Sequence, residues 1–331
     1  MTKSFVNVSV IIPVYNVRQY LKEAIDSILS QTMQPYEVII VNDGSTDDSG
    51  DYLEEHYGHM NNVKIIHTEN QGLGEARNEG SRYASGDFIY YFDSDDIAET
   101  SLLQSFATAL CKDKKIDIFC FSASSFLDPN SAMKSHPPSL PTYRRSTNMV
   151  FPDGISAFNC LSMLGSFYPN AWLYIFRRSL IVDNNLSFKA IIHEDEEFTP
   201  RLFFCAQKII VSPLELFRRR VRAGSIMQTN RNEKNVVGYI ESVKSLMILK
   251  EGVSSARTKK NLEERITNNL VSIINIMNEK TFELSDSISV KFHELVRENN
   301  CFSLVLAKYN PFLYRVYRGI RRRINKISYL S

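Results

Sequence analysis

Cysteine is scarce in this 331-residue chain: Cys111, Cys120, Cys160, Cys205 and Cys301, with no C-x-x-C pair among them. That spacing excludes a disulfide framework and the common zinc signatures, and predicts buried free thiols in a reducing compartment. Long apolar runs are also missing. No stretch approaches the ~20 residues that cross a bilayer, and Met1 to Asn7 holds no apolar core of signal-peptide length. The expectation is a cytoplasmic protein that meets a membrane only peripherally, from its inner face. The 13 glycines never fall as G-x-G-x-x-G, and no glycine-rich turn follows the first apolar run. This excludes the dinucleotide fingerprint. Acidic residues are absent from Cys301 to Ser331, where seven basic ones stand, leaving the first 300 residues with 32 basic and 37 acidic side chains. A mildly acidic body with a basic end points to an anionic partner there.

What is present is alternation. Val8 to Val14, Val38 to Val41, Val63 to His67 and Phe88 to Phe92 are short apolar runs that suit strands buried on both faces. Between them, Val17 to Thr32, Asp47 to Tyr57 and Gly74 to Ala84 read as helices. In the first, Tyr20, Leu21, Ala24, Ile25, Ile28 and Leu29 form one apolar stripe. Ser45 or Thr46 is placed to cap the second. Strand–helix alternation predicts an α/β domain with a mostly parallel sheet and helices on both faces. Ile116 to Phe121 is a further strand, residues 128–147 form a long loop, a helix begins at Ile155, Trp172 to Phe176 is strand-like, and a helix follows Glu194. Beyond Arg231 only helical patterns remain, as in Val236 to Leu249 and Leu262 to Met277, so a boundary is expected near residue 230.

Polar clusters follow the strands, where open α/β sheets bind ligands. Asp93-Ser94-Asp95-Asp96 sets three carboxylates in four residues. Their mutual repulsion favours a cation, and hard oxygen donors suit Mg2+ or Mn2+ completed by diphosphate oxygens; a polar turn leading to a helix is the plainer alternative. Asp43-Gly44-Ser45-Thr46-Asp47 is either a capped turn or a base- and ribose-binding loop. Asn70-Gln71-Gly72-Leu73-Gly74-Glu75-Ala76-Arg77-Asn78 is a tight turn opening a helix, with Arg77 either reaching a ligand or lying on the surface. His193-Glu194-Asp195-Glu196-Glu197-Phe198 is either a solvated helix start or the seat of a catalytic carboxylate.

The order V-I-I-P-V-Y-N, V-N-D-G-S-T-D, N-Q-G-L-G-E-A-R-N, D-S-D-D and H-E-D-E-E-F closely resembles the family 2 glycosyltransferases, inverting enzymes with the GT-A fold, over roughly residues 7 to 227. The resemblance implies a transfer of hexosyl type from a nucleotide-diphosphate sugar, UDP-linked in first place, to a hydroxyl of a glycan or lipid-linked acceptor in bacterial-type surface polysaccharide assembly. It implies that Pro13, Tyr15 and Asn16 begin the nucleotide pocket. Asp43, with Gly44 and Ser45, meets the base, and Asn70, Gly72 and Arg77 lie along the nucleotide. Asp93 and Ser94 sit near the ribose, Asp95 with Asp93 holds Mn2+ or Mg2+, and Asp195 is the base with Glu194 beside it. Arg222, opening an R-A-G-S-I-M segment, closes over the diphosphate, with Arg218, Arg219 and Arg220 as alternatives. Trp172 and His193 are the acceptor-side candidates. The stretch after Trp172 lacks the lysine that relatives often carry, so acceptor identity does not transfer. The expected organisation is a catalytic domain over 1–230, its nucleotide-binding half at 1–122 and its acceptor half at 123–230, then a helical region over 231–331.

In the tail, residues 309–327, Leu313, Val316, Tyr317, Ile320, Ile324 and Ile327 recur at spacings of three and four, with Arg315, Arg318, Arg322 and Lys326 largely on other faces. This pattern suits either an anionic membrane surface or packing on the body, and the helical end could also serve a homodimer. No nucleic-acid motif accompanies the charge. The rival to an active transferase is a sugar-nucleotide-binding partner subunit without turnover.

Overall fold

The computed structural model describes residues 6–129, 140–222, 231–279, 282–299 and 301–320 except 311, 315 and 318. It divides into two compact units. The first comprises Met1–Gly154, Asn170–Ala190 and Cys205–Gln228; the second comprises Ile155–Pro169, Ile191–Phe204 and Thr229–Ser331. The division is interleaved, so the helix that begins at Glu194 belongs with the helical end of the chain.

In the first unit, strands β1 (Val8–Val14), β2 (Glu37–Asp43), β3 (Val63–Thr68) and β4 (Phe88–Tyr91) pair in parallel, in the order β3-β2-β1-β4. Every residue of β1 and β4 is buried, as continuous apolar runs in a covered parallel sheet should be. Helices α1 (Arg18–Leu29), α2 (Ser49–Tyr57) and α3 (Leu73–Tyr83) connect them. The α1 stripe is buried at Tyr20, Leu21, Ala24, Ile25 and Ile28, as its periodicity requires. Registers Val14↔Asn42 and Asp43↔Thr68 align the carboxyl ends of β1, β2 and β3, which brings the polar clusters to one edge.

Past β4 antiparallel strands join the parallel ones and the sheet becomes mixed. After β5 (Ile97–Ala98) and α4 (Leu102–Lys112) come β6 (Ile118–Leu127) and β7 (Met149–Phe151). Helix α5 (Gly154–Met163), β8 (Tyr174–Arg177), α6 (Ser179–Asp183), α7 (Glu194–Cys205) and β9 (Ile209–Val221) follow. Strand β8 runs antiparallel between β4 and β6, β9 runs parallel to β6, and β5 and β7 are antiparallel to β9. Apolar periodicity locates a strand but carries neither its direction nor its neighbour. Pro213 and the run Arg218-Arg219-Arg220 interrupt the apolar pattern of β9, a strand not among those expected from the sequence. The proline falls where the β6–β9 register slips, between Val211 and Glu215, an irregularity that tolerates a missing amide donor.

The second unit holds α7 together with α8 (Glu233–Glu251), α9 (Ala256–Asn278), α10 (Asp286–Glu298) and α11 (Phe302–Tyr309). Asn232 and Asn235 form a reciprocal cap at the start of α8. Phe302, Val305, Tyr309, Phe312, Leu313, Val316 and Ile320 are exposed, whereas Leu304, Ala307 and Tyr314 are buried. Ile324, Ile327, Arg322 and Lys326 lie outside the described residues, as does residue 315. Among the described residues no helix is long and apolar enough to cross a membrane.

Two expectations need correction. The five thiols are free, but only Cys120 and Cys160 are buried, and Cys111 is exposed on the last turn of α4. The N-cap of α2 is Asp48, without a side-chain cap bond, and neither Ser45 nor Thr46 fills that place. Both are held instead by Asn16.

Candidate functional site

The turn after β1 ties the first two clusters together. Asn16 adopts a left-handed φ of 50°, which asparagine tolerates better than most residues. Its Oδ1 accepts from the amides of Thr46 (2.7 Å) and Asp47 (3.3 Å), and its own amide donates to Ser45 Oγ at 3.1 Å. Pro13 is buried within β1, whereas the next aromatic, Tyr15, is 49% exposed and free to present its ring at this edge.

Asp43 is buried and serves the loop first. Its two carboxylate oxygens accept from the amides of Gln71 (2.9 Å) and Gly72 (2.8 Å), and Thr68 Oγ1 donates at 3.3 Å. Gly44 has φ 67°, and a Cβ there would lie 2.6 Å from the amide nitrogen of Asn70. Gly44 is thus needed for a close approach to the chain at Asn70 rather than to a ligand. Gly72, with φ 95°, turns the chain into α3.

Arg77 is no surface residue. It is 2% exposed, donates from Nη2 to Asp93 Oδ1 at 2.9 Å, and lies against the rings of Phe188 and Tyr91 at 5.3 and 5.9 Å. An arginine this deep is retained when its charge is paired, so Arg77 fixes the first aspartate of the D-S-D-D cluster from the helix behind it.

The rest of that cluster meets β9. The Arg220 amide donates to Asp96 Oδ1 at 2.6 Å, and Arg220 Nε donates to the Asp95 carbonyl at 2.8 Å. Its guanidinium also pairs with Glu23 and lies 3.8 Å from Asp128, which accepts from the Tyr20 hydroxyl at 3.0 Å. Two residues on, Arg222 Nε donates to Asp95 Oδ2 at 2.8 Å and lies over the Tyr20 ring at 4.8 Å. Among the four arginines weighed, it is Arg222 that reaches the Asp95 carboxylate; Arg219 donates to the Tyr143 hydroxyl, and Arg218 faces Glu99 at 4.0 Å. Residues 223–227 of the R-A-G-S-I-M segment lie outside the described residues. Burial, and then the charges of Asp95 and Asp93, push Asp96 well above the usual carboxylate range, opposed by the Arg220 amide and the Arg219 charge. Ser94 is buried between these aspartates.

Asp93 and Asp95 are oxygen donors of the kind that Mg2+ and Mn2+ take. Among the described residues no group of three or more His, Cys, Asp or Glu could hold a metal. Both carboxylates are engaged by arginines, Asp93 by Arg77 and Asp95 by Arg222.

The fourth cluster opens α7, in the second unit. Glu196 pairs with Arg265 at 2.5 Å and Glu197 with Arg201 at 2.6 Å, while Glu194 is buried. Asp195 is half-buried and, among the described residues, has no ion-pair partner; its Oδ1 accepts from the Glu196 amide at 2.8 Å. His193 holds a left-handed φ of 66° and stacks on Tyr239, ring centres 4.1 Å apart. Burial lowers its pKa below the ordinary imidazole range, Asp195 opposes that shift, and Arg231 adds to it.

Trp172 belongs to the core. It is 4% exposed, stacked on Phe217 at 4.4 Å and met edge-on by Tyr143 at 4.8 Å, which leaves no open face for a sugar. Sequence reasoning held Arg220 only as an alternative to Arg222 and missed Glu23, Asp128 and Tyr20 as site residues; these four line, with Phe126 and Arg218, a cavity of about 280 Å³. The available signal was strand alternation: recognising β9 would have put Arg218 and Arg220 on one face and Arg219 on the other.

Residues 9–167 match the family model described as Glycosyl transferase family 2. EpsH of Bacillus subtilis (strain 168), which bears the name glycosyltransferase, is 33% identical over 225 residues, covering 67% of this chain. The match spans only 62% of EpsH. Among solved structures, S. aureus TarS 1-349 in complex with UDP-GlcNAc superimposes with a TM-score of 0.67 at 18% identity, over 95% of this chain and 92% of that one. The mannosyltransferase PcManGT from Pyrobaculum calidifontis, in complex with GDP-Man and Mn2+, does so with a TM-score of 0.56 at 17% identity, over 96% and 85%. The fold is thus of the GT-A kind, and through residues 9–167 the chain belongs to glycosyl transferase family 2.

Proposed function

We propose that this chain transfers a sugar from a nucleotide-diphosphate donor, UDP-linked in first place, to a hydroxyl of a glycan or lipid-linked acceptor in surface polysaccharide assembly, with inversion at the anomeric carbon. The observation that carries the reading is the pairing of Asp95 with Arg222 at the end of β4. An anion and a cation side by side match the two halves of a metal–diphosphate group: the carboxylate takes the metal, and the guanidinium takes phosphate oxygens. The TarS and PcManGT complexes, which hold UDP-GlcNAc and GDP-Man, support a nucleotide sugar as donor.

In this reading Tyr15 stacks on the base, and the Asp43-ordered loop at Asn70 to Gly72 borders the nucleotide. Asp93, fixed by Arg77, faces the ribose. A Mn2+ or Mg2+ ion on Asp95 and Asp93 would stabilise charge on the departing diphosphate as a Lewis acid. Arg222 leaves Asp95 for the phosphate oxygens and adds positive charge there. Asp195 accepts the proton of the acceptor hydroxyl as that oxygen attacks, and Glu194 orients the site. A single displacement inverts the configuration. The basic, apolar tail and the exposed side chains from Phe302 to Ile320 suit an anionic membrane carrying a lipid-linked acceptor.

The test is release of free nucleotide from a panel of UDP-, GDP- and dTDP-sugars, with manganese or with EDTA. Metal-dependent release from one UDP-sugar is expected. Equal release with EDTA removes the metal from the scheme, and silence across the panel with acceptor glycans present favours a binding subunit without turnover.

A further inference from the structure

Helices α8 and α9 lie outside the family-matched residues 9–167, yet they hold the start of α7 on both sides of Asp195. On the amino side, the Ile192 carbonyl lies against Gly238 in the middle of α8, where a Cβ would come within 1.8 Å of its oxygen. A glycine inside a helix is otherwise unfavourable, and this contact explains it. The next residue, Tyr239, stacks on His193, whose left-handed backbone is a conformation that persists only when its surroundings enforce it. On the carboxyl side, Ser242 Oγ donates to the Glu196 carbonyl at 2.9 Å and is itself fixed by Asn269 Nδ2 at 2.9 Å. Arg265 of α9 holds the Glu196 carboxylate and lies over the Phe167 ring at 4.8 Å.

We infer that Gly238, Tyr239, Ser242 and Arg265 are positioning residues, which set the backbone on either side of Asp195 and so the place from which its carboxylate meets an acceptor hydroxyl. The inference rests on Asp195 as the base. Four contacts from two helices converge on residues 192, 193 and 196 and, among the described residues, leave the Asp195 carboxylate without an ion-pair partner. That is the arrangement expected where a proton acceptor must be held in place yet remain available. The helical region thereby becomes part of the reacting machinery.

The experiment compares Gly238→Ala, Arg265→Gln, Arg265→Lys and Asp195→Asn in the full chain, each checked for melting temperature and for binding of UDP with manganese by calorimetry. Gly238→Ala and Arg265→Gln are expected to lower kcat by ~10²-fold, with donor KM and UDP affinity unchanged. Arg265→Lys should recover part of the loss, because Glu196 keeps a cation. Turnover within twofold of the parent in folded Arg265→Gln overturns the inference. So does a fall in UDP affinity in step with kcat, or an equal loss in the lysine and glutamine variants; either would assign these residues to fold support alone. Normal turnover by Asp195→Asn would instead place the base elsewhere and remove the premise.

Discussion

At the scale of single residues, left-handed backbone at Asn16, Gly44, Gly72 and His193 shapes the turns that carry the candidate site. Gly44 lies against the backbone at Asn70, so Gly44→Ala must strain φ or displace the loop that Asp43 organises. It should cost ~1–3 kcal/mol, a fall in melting temperature of several degrees, and weaken UDP binding; an unchanged melting curve would show that the turn yields freely. Asp195→Asn should retain UDP affinity and lose ~10²–10⁴-fold in kcat. His193 gives a pH signature. Its folded pKa lies below the ordinary value near 6.5, so the unfolded chain binds the extra proton first. Its contribution to stability is therefore full above about pH 6.5 and is lost as pH falls through the folded pKa. Melting temperature in that window should fall more steeply for the parent than for His193→Gln, and parallel curves would count against a buried neutral imidazole.

At the scale of elements, β9 organises the D-S-D-D turn. Alternation sends Arg220 to the Asp95 carbonyl, and Arg222, just past the strand, to the Asp95 carboxylate. Arg222→Gln should leave the fold intact and weaken UDP–manganese binding by roughly ten- to a hundredfold, since hydrogen bonds to charged groups are worth ~1.5–3 kcal/mol. Calorimetry with UDP and manganese reads this directly, and unaltered affinity would remove Arg222 from the diphosphate. This strand was also the least legible in the sequence. Strands β1, β2 and β4 announced themselves as apolar runs because both of their faces are buried, whereas β3, at the edge of the sheet, has no buried residue, against the expectation for Val63 to His67. Strand β9 mixes buried and exposed residues without a clean period around Pro213 and three arginines, and its pairing partners lie far away in the chain.

At the scale of the whole molecule, Phe302, Val305, Tyr309, Phe312, Leu313, Val316 and Ile320 are exposed in a stretch whose sequence is strongly basic. The ring of Phe302 meets that of Tyr317 at 5.6 Å, and Phe312 is 71% exposed. The chain should sediment with vesicles containing anionic lipid, less so at high salt. The paired substitution Phe312→Asp and Val316→Asp should abolish this while nucleotide release from the donor persists. Equal sedimentation of both forms would leave the tail to protein contacts.

The sequence by itself determined the strand–helix alternation, the family, and the residue types at the edge of the sheet. These are local: an apolar period of two or three to four residues, or a fixed order of motifs, survives without knowledge of neighbours. Tertiary structure alone decided that Arg77 is buried on Asp93, that Trp172 is core, that Asp43 holds a loop, and that Arg222 reaches Asp95. It also decided that α8 and α9 hold the start of α7. Each of these depends on residues brought together across 16 to 127 positions of chain, and the energy that selects such partners, the pairing of charge away from water and the close packing of rings, exists only once the chain has folded.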